Sequence, residues 1–137
     1  MSVIVTDTGF ADDTWSGPFV AASDLTQDAD GVSVDLSSDA DPAVLSAHLD
    51  RIALIRVDFP SFADGRGFSL ARRLRQAGFS GRLRAKGHVL ADQYAMARRS
   101  GFDEVEIDDA LAQRQPEDQW AARADWRAHD YQSRLRA

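Results

Sequence analysis

From residue 32 onward the chain alternates short β-branched apolar runs with helix-compatible segments, and that order restricts the fold more than any other feature. GVSVDL predicts a strand at Val32–Leu36, and Asp41 with Pro42 predicts a helix start, the Asp as cap and the Pro in the first turn. IALIRVDF, Ile52 to Phe59, is the strongest strand pattern in the chain. A helix from about Gly67 to Ala77 follows, closed by Gly78, then a strand at Leu83–Lys86, a helix ending at Gly101 and a strand at Val105–Ile107. Such βαβα order implies a single α/β domain: a parallel sheet of about four core strands, right-handed crossovers and flanking helices. A half β/α barrel uses the same repeating unit. The open sheet is the preferred expectation, because half a barrel exposes its inner face and needs something to cover it.

The flanks read differently. Ser2–Val5 predicts an edge strand, and residues 6–31 are rich in turn formers, with one short strand near Phe19–Ala21. Residues 1–31 therefore read as a cover segment whose aromatics pack on an α/β core at 32–115. At 116–137, Pro116 starts a terminal helix with Trp120, Ala124, Tyr131 and Leu135 near one face. That helix is expected to pack on the same domain, the alternative being a docking helix for a reductase or a second copy of the chain, anchored by Trp126.

Composition removes several function classes. Without cysteine there is no disulfide, thiolate nucleophile or iron–sulfur ligation, and three scattered histidines (His48, His88, His129) make no metal-ligand spacing. No metal is expected and no cofactor is indicated. No segment approaches the roughly 20 apolar residues of a membrane span, and MSVIVTDTGF lacks a basic targeting region, so a cytoplasmic protein is expected. A sequence pI near 4.9 argues against nucleic acid.

Charge is nonetheless lopsided. Residues 1–50 hold ten Asp and no Lys or Arg, whereas residues 66–99 hold nine basic groups against the single acid Asp92. A local positive field attracts anions even on an acidic protein. In parallel sheets ligands bind beyond the carboxyl ends of the strands, which draws attention to Asp58–Phe68 and Lys86–Val89. In Asp64-Gly65-Arg66-Gly67-Phe68-Ser69, two glycines let the backbone bend over a ligand, Ser69 lies near a helix start and Arg66 offers a fork for an oxyanion. A dinucleotide fingerprint is incomplete there, since Leu70 replaces its third glycine. Arg84 and Lys86 share one side of their strand and form a further positive pair, with Asp58, Asp64 and Asp92 as internal partners. His88 and Asp92, four apart, are the candidates for proton transfer, and Gln93 stands beside them. Arg66, Ser69, Arg84 and Lys86 are thus the expected anion ligands, supported by Asp58, Asp64, Gly65, Gly67 and Gln93.

The run DFPSFADGRGFSLARRLRQAGFSGRLRAKGHVLADQYAMARRSGFDEVEI resembles the core of the bacterial family named domain of unknown function 934, over roughly residues 30–110, and Tyr131-Gln132 is similar to the family's tail. Members are commonly labelled oxidoreductases or sulfite-reductase-associated proteins, because their genes neighbour those of sirohaem sulfite or nitrite reductase and adenylylsulfate reductase. The resemblance implies assimilatory sulfur metabolism with sulfite or nitrite reductase as partner, and the residues imply a small oxyanion as ligand. Two functions follow: a non-catalytic accessory protein of sulfite or sulfate metabolism, or a small enzyme or oxidoreductase acting on an oxyanion or nucleotide sulfate.

Overall fold

The computed structural model describes residues 2–15, 17–28 and 30–126. Seven strands form one sheet: β1 (Ser2–Thr6), β2 (Gly9–Ala11), β3 (Phe19–Ala21), β4 (Val32–Leu36), β5 (Ile52–Phe59), β6 (Arg82–Gly87) and β7 (Glu104–Asp108), in the order β2-β1-β7-β6-β5-β4-β3. Strands β3 to β7 run parallel in consecutive order, while β1 pairs antiparallel with β7 and β2 antiparallel with β1. The helices are α1 (Arg66–Gln76), α2 (Tyr94–Ser100), α3 (Asp109–Arg114) and α4 (Glu117–Ala121).

Consecutive order decides the layering. Right-handed crossovers that always step in one direction place every connection on the same face of the sheet. That face carries Val34, Leu36, Ile55, Val57, Phe59, Leu83, Ala85, Val105 and Ile107, packed with Phe68, Leu70, Ala71 and Leu74 of α1 and Tyr94 and Ala97 of α2 in one buried cluster. Phe59 is its centre, 5.0 Å from the ring of Phe68 and 5.7 Å from that of Phe102. Trp120 of α4 joins it edge-on to Tyr94. The fold is α/β with a largely parallel sheet, as the alternation predicts, but it has two layers and no second helical layer.

Period-two alternation leaves a charged opposite face. Arg84 is fully buried there, its Nε 2.6 Å from Glu104, one Nη 2.8 Å from Glu106 and the other 3.1 Å from Asp13. Arg56 forks onto Asp35 at 2.6 and 2.9 Å, reaches Glu106 at 3.2 Å and lies 3.6 Å over the ring of Phe19. Arg82 closes the chain of pairs on Glu104 at 2.8 Å.

Between β2 and β3 the chain crosses this face as a strap, of which residues 12–15 and 17–18 are described. It joins β2 at one edge of the sheet to β3 at the other, with Asp13 held by Arg84 and Trp15 Nε1 donating to Ser33 Oγ at 2.7 Å. Six strand spacings of about 4.8 Å make a flat path of roughly 29 Å. Eight residue steps reach at most about 26–29 Å. The reach of the strap is therefore close to the flat width of the sheet. The cover expected of the N-terminal segment is this strap, although residues 2–21 also contribute three strands to the sheet itself.

Local differences from the sequence reading have physical reasons. Ser2–Thr6 is not an edge strand, because a two-residue turn at Asp7–Thr8 returns β2 along its outer side. The segment after Asp41 forms 3₁₀ turns at Pro42–Leu45 and Leu49–Arg51 instead of an α-helix, with Asp41 capping as predicted by accepting from the Ala43 amide. The ten residues from Pro42 to Arg51 must travel back along the sheet, and a 3₁₀ turn rises about 2.0 Å per residue against about 1.5 Å for an α-helix. Helix α4 begins after Pro116 and buries Trp120, while Tyr131 and Leu135 lie outside the described residues.

Candidate functional site at the carboxyl ends of strands β6 and β7

The two loops singled out by sequence both sit at the carboxyl ends of parallel strands, yet the side chains expected to meet an anion there are differently engaged. Arg66 is forked onto Asp64, Nε to Oδ1 at 2.9 Å and Nη2 to Oδ2 at 2.7 Å, and its amide also donates to Asp64 at 3.1 Å. The guanidinium and this amide, with a hydrogen bond from Ser38, hold the Asp64 carboxyl well below the usual carboxylate range. Ser69 is exposed one turn along, on an open cleft shared with Ser38, Asp39, Arg66 and Arg73. Gly65 caps the helix with nothing near its missing Cβ, whereas a Cβ at Gly67 would lie 2.4 Å from the Phe59 ring. Gly67 is thus a packing glycine that lets α1 settle on β5.

Arg84 is corrected more sharply. It does not face a ligand, since it is sealed under the strap by three carboxylates. Burial pulls its pKa down, and the hydrogen bonds it donates to Asp13, Glu104 and Glu106, with the charge of Glu104, outweigh that and raise it. The His88–Asp92 pair is also not formed. Leu90 is extended and the helical turns begin only at Ala91, so the two side chains do not share a helix face. Asp92 is exposed and pairs with Arg123 at 3.1 Å. His88 Nδ1 lies 3.1 Å from the Phe59 carbonyl oxygen and its ring meets Phe62 edge-on at 5.0 Å. A carbonyl can only accept, so Nδ1 carries the hydrogen and Nε2 is the open nitrogen of the neutral ring.

What the structure brings together is a pocket of about 150 Å³ lined by Lys86, Gly87 and His88 from the end of β6, Glu106 to Asp108 from β7, Ser2, Phe62, Leu111 and Arg114. Among the described residues, Lys86 and Arg114 have no ion-pair or hydrogen-bond partner. Its carboxylates are already used: Glu106 by Arg84 and Arg56, and Asp108 as the cap of α3, accepting from the Leu111 amide at 2.7 Å. Lys86 and Arg114 are therefore the pocket's cations without a direct partner, while Asp108 keeps its negative charge, since an amide hydrogen bond does not neutralise a carboxylate. Gln93 supports one wall, accepting from the Leu90 amide at 2.9 Å and donating to the Phe62 carbonyl at 3.1 Å. Asp58 lies on the strap side, in a neighbouring cleft with Asp35, Ser37, Arg56 and Lys86, so Lys86 borders both spaces.

The family model described as "Bacterial protein of unknown function (DUF934)" matches residues 33–137. The chain belongs to the DUF934 family. No curated protein and no solved structure matches it. The DUF934 match takes in β4 to β7, all four helices and every member of the pocket except Ser2, whereas the strap lies outside the matched span. Of the pocket's basic residues, the sequence reading included Lys86 and His88 and missed Arg114, which lies in the last turn of the helix that follows β7. Among the described residues no group of three His, Asp or Glu could hold a metal ion, and no helix is long and apolar enough to cross a membrane.

Proposed function

We propose that this DUF934 protein binds a small oxyanion in the pocket between Lys86 and Arg114, and that it works as an accessory protein of sulfite or sulfate assimilation beside sulfite reductase. The observation that carries the reading is the pair of cations without partners on a pocket whose carboxylates are both occupied. Two cations beside the apolar residues Phe62, Ile107 and Leu111 favour an anion that enters between them, with Arg114 itself exposed to solvent. The resemblance to a family found beside sulfite reductase supplies the metabolic setting, and the residues supply only the charge and size of the ligand. Thermal unfolding of the wild type, Lys86→Gln and Arg114→Gln with sulfite, sulfate, phosphate and adenylylsulfate tests the site. A concentration-dependent rise in Tm for the wild type, lost in Arg114→Gln, is the expected result. Equal shifts in all three proteins, or none in any, would overturn it. Co-purification of the natively expressed chain with sulfite reductase tests the partner.

One observation favours a second reading, an enzyme acting on the same anion. The open Nε2 of His88 borders the pocket and can take a proton. Asp92 has no part in such a step, being tied to Arg123.

A further inference from the structure

Resting on the anion site proposed above, we infer that its ligand is a small organic acid, an oxyanion headgroup carried on a short hydrocarbon body, and not a bare inorganic anion. Beside Ser2, Gly87 and the engaged carboxylates of Glu106 and Asp108, the lining holds the basic side chains Lys86, Arg114 and His88 and the apolar side chains Phe62, Ile107 and Leu111. Ile107 and Leu111 belong to the buried cluster, and Phe62 packs partly against it.

A free sulfate or phosphate is hydrated on every side and gives up that water only for donors all round. This pocket combines a few donor side chains with hydrocarbon side chains in one lining. An amphiphilic acid matches that mixture, its headgroup against the cations and its body against Phe62 and Leu111. Size agrees. A space of about 150 Å³ is several times the roughly 10–15 Å³ that one water needs by the same measure, so a ligand of several heavy atoms is accommodated. The apolar wall is also held in place before any ligand arrives. The Phe62 carbonyl is bonded by Gln93 and the Phe62 ring is braced by His88, so little ordering remains to oppose binding.

The test is calorimetric titration of the full chain with two homologous series, methanesulfonate to pentanesulfonate and acetate to hexanoate, against sulfate, sulfite and phosphate. The expected result is an affinity that rises about threefold to fourfold per methylene, the factor for burying a CH₂ group, until the pocket is full and the gain stops. Phe62→Ala and the milder Phe62→Leu should flatten that slope, while Arg114→Gln weakens every acid in both series. Sulfate or phosphate binding as tightly as propanesulfonate, with no chain-length slope in the wild type, would overturn the organic-acid inference and leave the anion reading standing. Failure of every anion, inorganic and organic, would remove both.

Discussion

Arg84 and Lys86 stand two residues apart on the same side of β6, and their neighbours give them opposite roles. Arg84 pairs across the sheet with Glu104 in register, has Glu106 on its next side and lies under Asp13, so all of its fork is used. Lys86 comes at the end of the strand, where the strap no longer covers the sheet. Replacing Arg84 by Met strands two buried carboxylates, and a cost of about 3–5 kcal/mol is expected in urea unfolding. Arg84→Lys should recover only part of this, because a point charge cannot reproduce a fork that serves three acids. An unchanged unfolding midpoint in Arg84→Met would show that the network contributes nothing. At the other loop, the Arg66 fork is already closed on Asp64, so Arg66→Ala should leave any anion-induced rise in Tm as it is in wild type, in contrast to Arg114→Gln. A lost response in Arg66→Ala would return the site to that loop.

At the scale of elements, the two glycines at the start of α1 separate conformational need from packing need. Gly65 has an ordinary φ of −89° and open space where a Cβ would be, so Gly65→Ala should be neutral or slightly stabilising by restricting the unfolded chain. Gly67→Ala drives a methyl into the Phe59 ring, which is itself wedged between Phe68 and Phe102, and about 1–3 kcal/mol should be lost to overpacking. Thermal melts of the two variants settle this, and equal melting points would refute the assignment. The same contrast explains what could be read in advance. Strands β4, β5 and β7 were legible from their β-branched runs and helices α1 and α2 from an apolar period closed with Gly78 or Gly101. Strand β6, RLRAKG, has no β-branched residue and was legible by its place between the two helices. Strand β2 was not legible, since Gly9–Ala11 has no pattern of its own and exists only because β1 templates it. The site was half legible. Sequence position placed Lys86 and His88 at a strand end, but whether a cation is free depends on acids as distant as Asp13, and no spacing in the chain encodes that pairing.

For the whole molecule the strap is the controlling element, because it spans the sheet from edge to edge and turns an exposed charged face into a buried one. Its fixed points are the Asp13–Arg84 pair, the Trp15 hydrogen bond to Ser33, the Pro18 carbonyl accepting from the same Ser33 hydroxyl, and the pairing of Phe19 with β4. One of these is titratable. Burial acts to raise the Asp13 pKa, but hydrogen bonds from Arg84 and from the Trp15 amide, together with the Arg84 and Arg82 charges, outweigh it and leave the carboxyl lower than in the unfolded chain. A carboxyl depressed on folding contributes its stabilisation above its unfolded value, about 3.9. That contribution is lost as the pH falls through the lower, folded value. Wild type and Asp13→Asn should therefore differ in urea midpoint at pH 7, with the variant weaker. The two should converge in strong acid, where protonated Asp13 and Asn are electrostatically alike. An equal gap at pH 7 and in strong acid would mean that Asp13 acts through shape and not through charge. The reach of the strap adds a further constraint. Inserting two glycines after Asp12 should cost little loop entropy yet loosen the hold of the strap on the sheet. The expected signature is greater amide exchange in β3 and β4, the strands at the strap's far end, with β6 and β7 little changed.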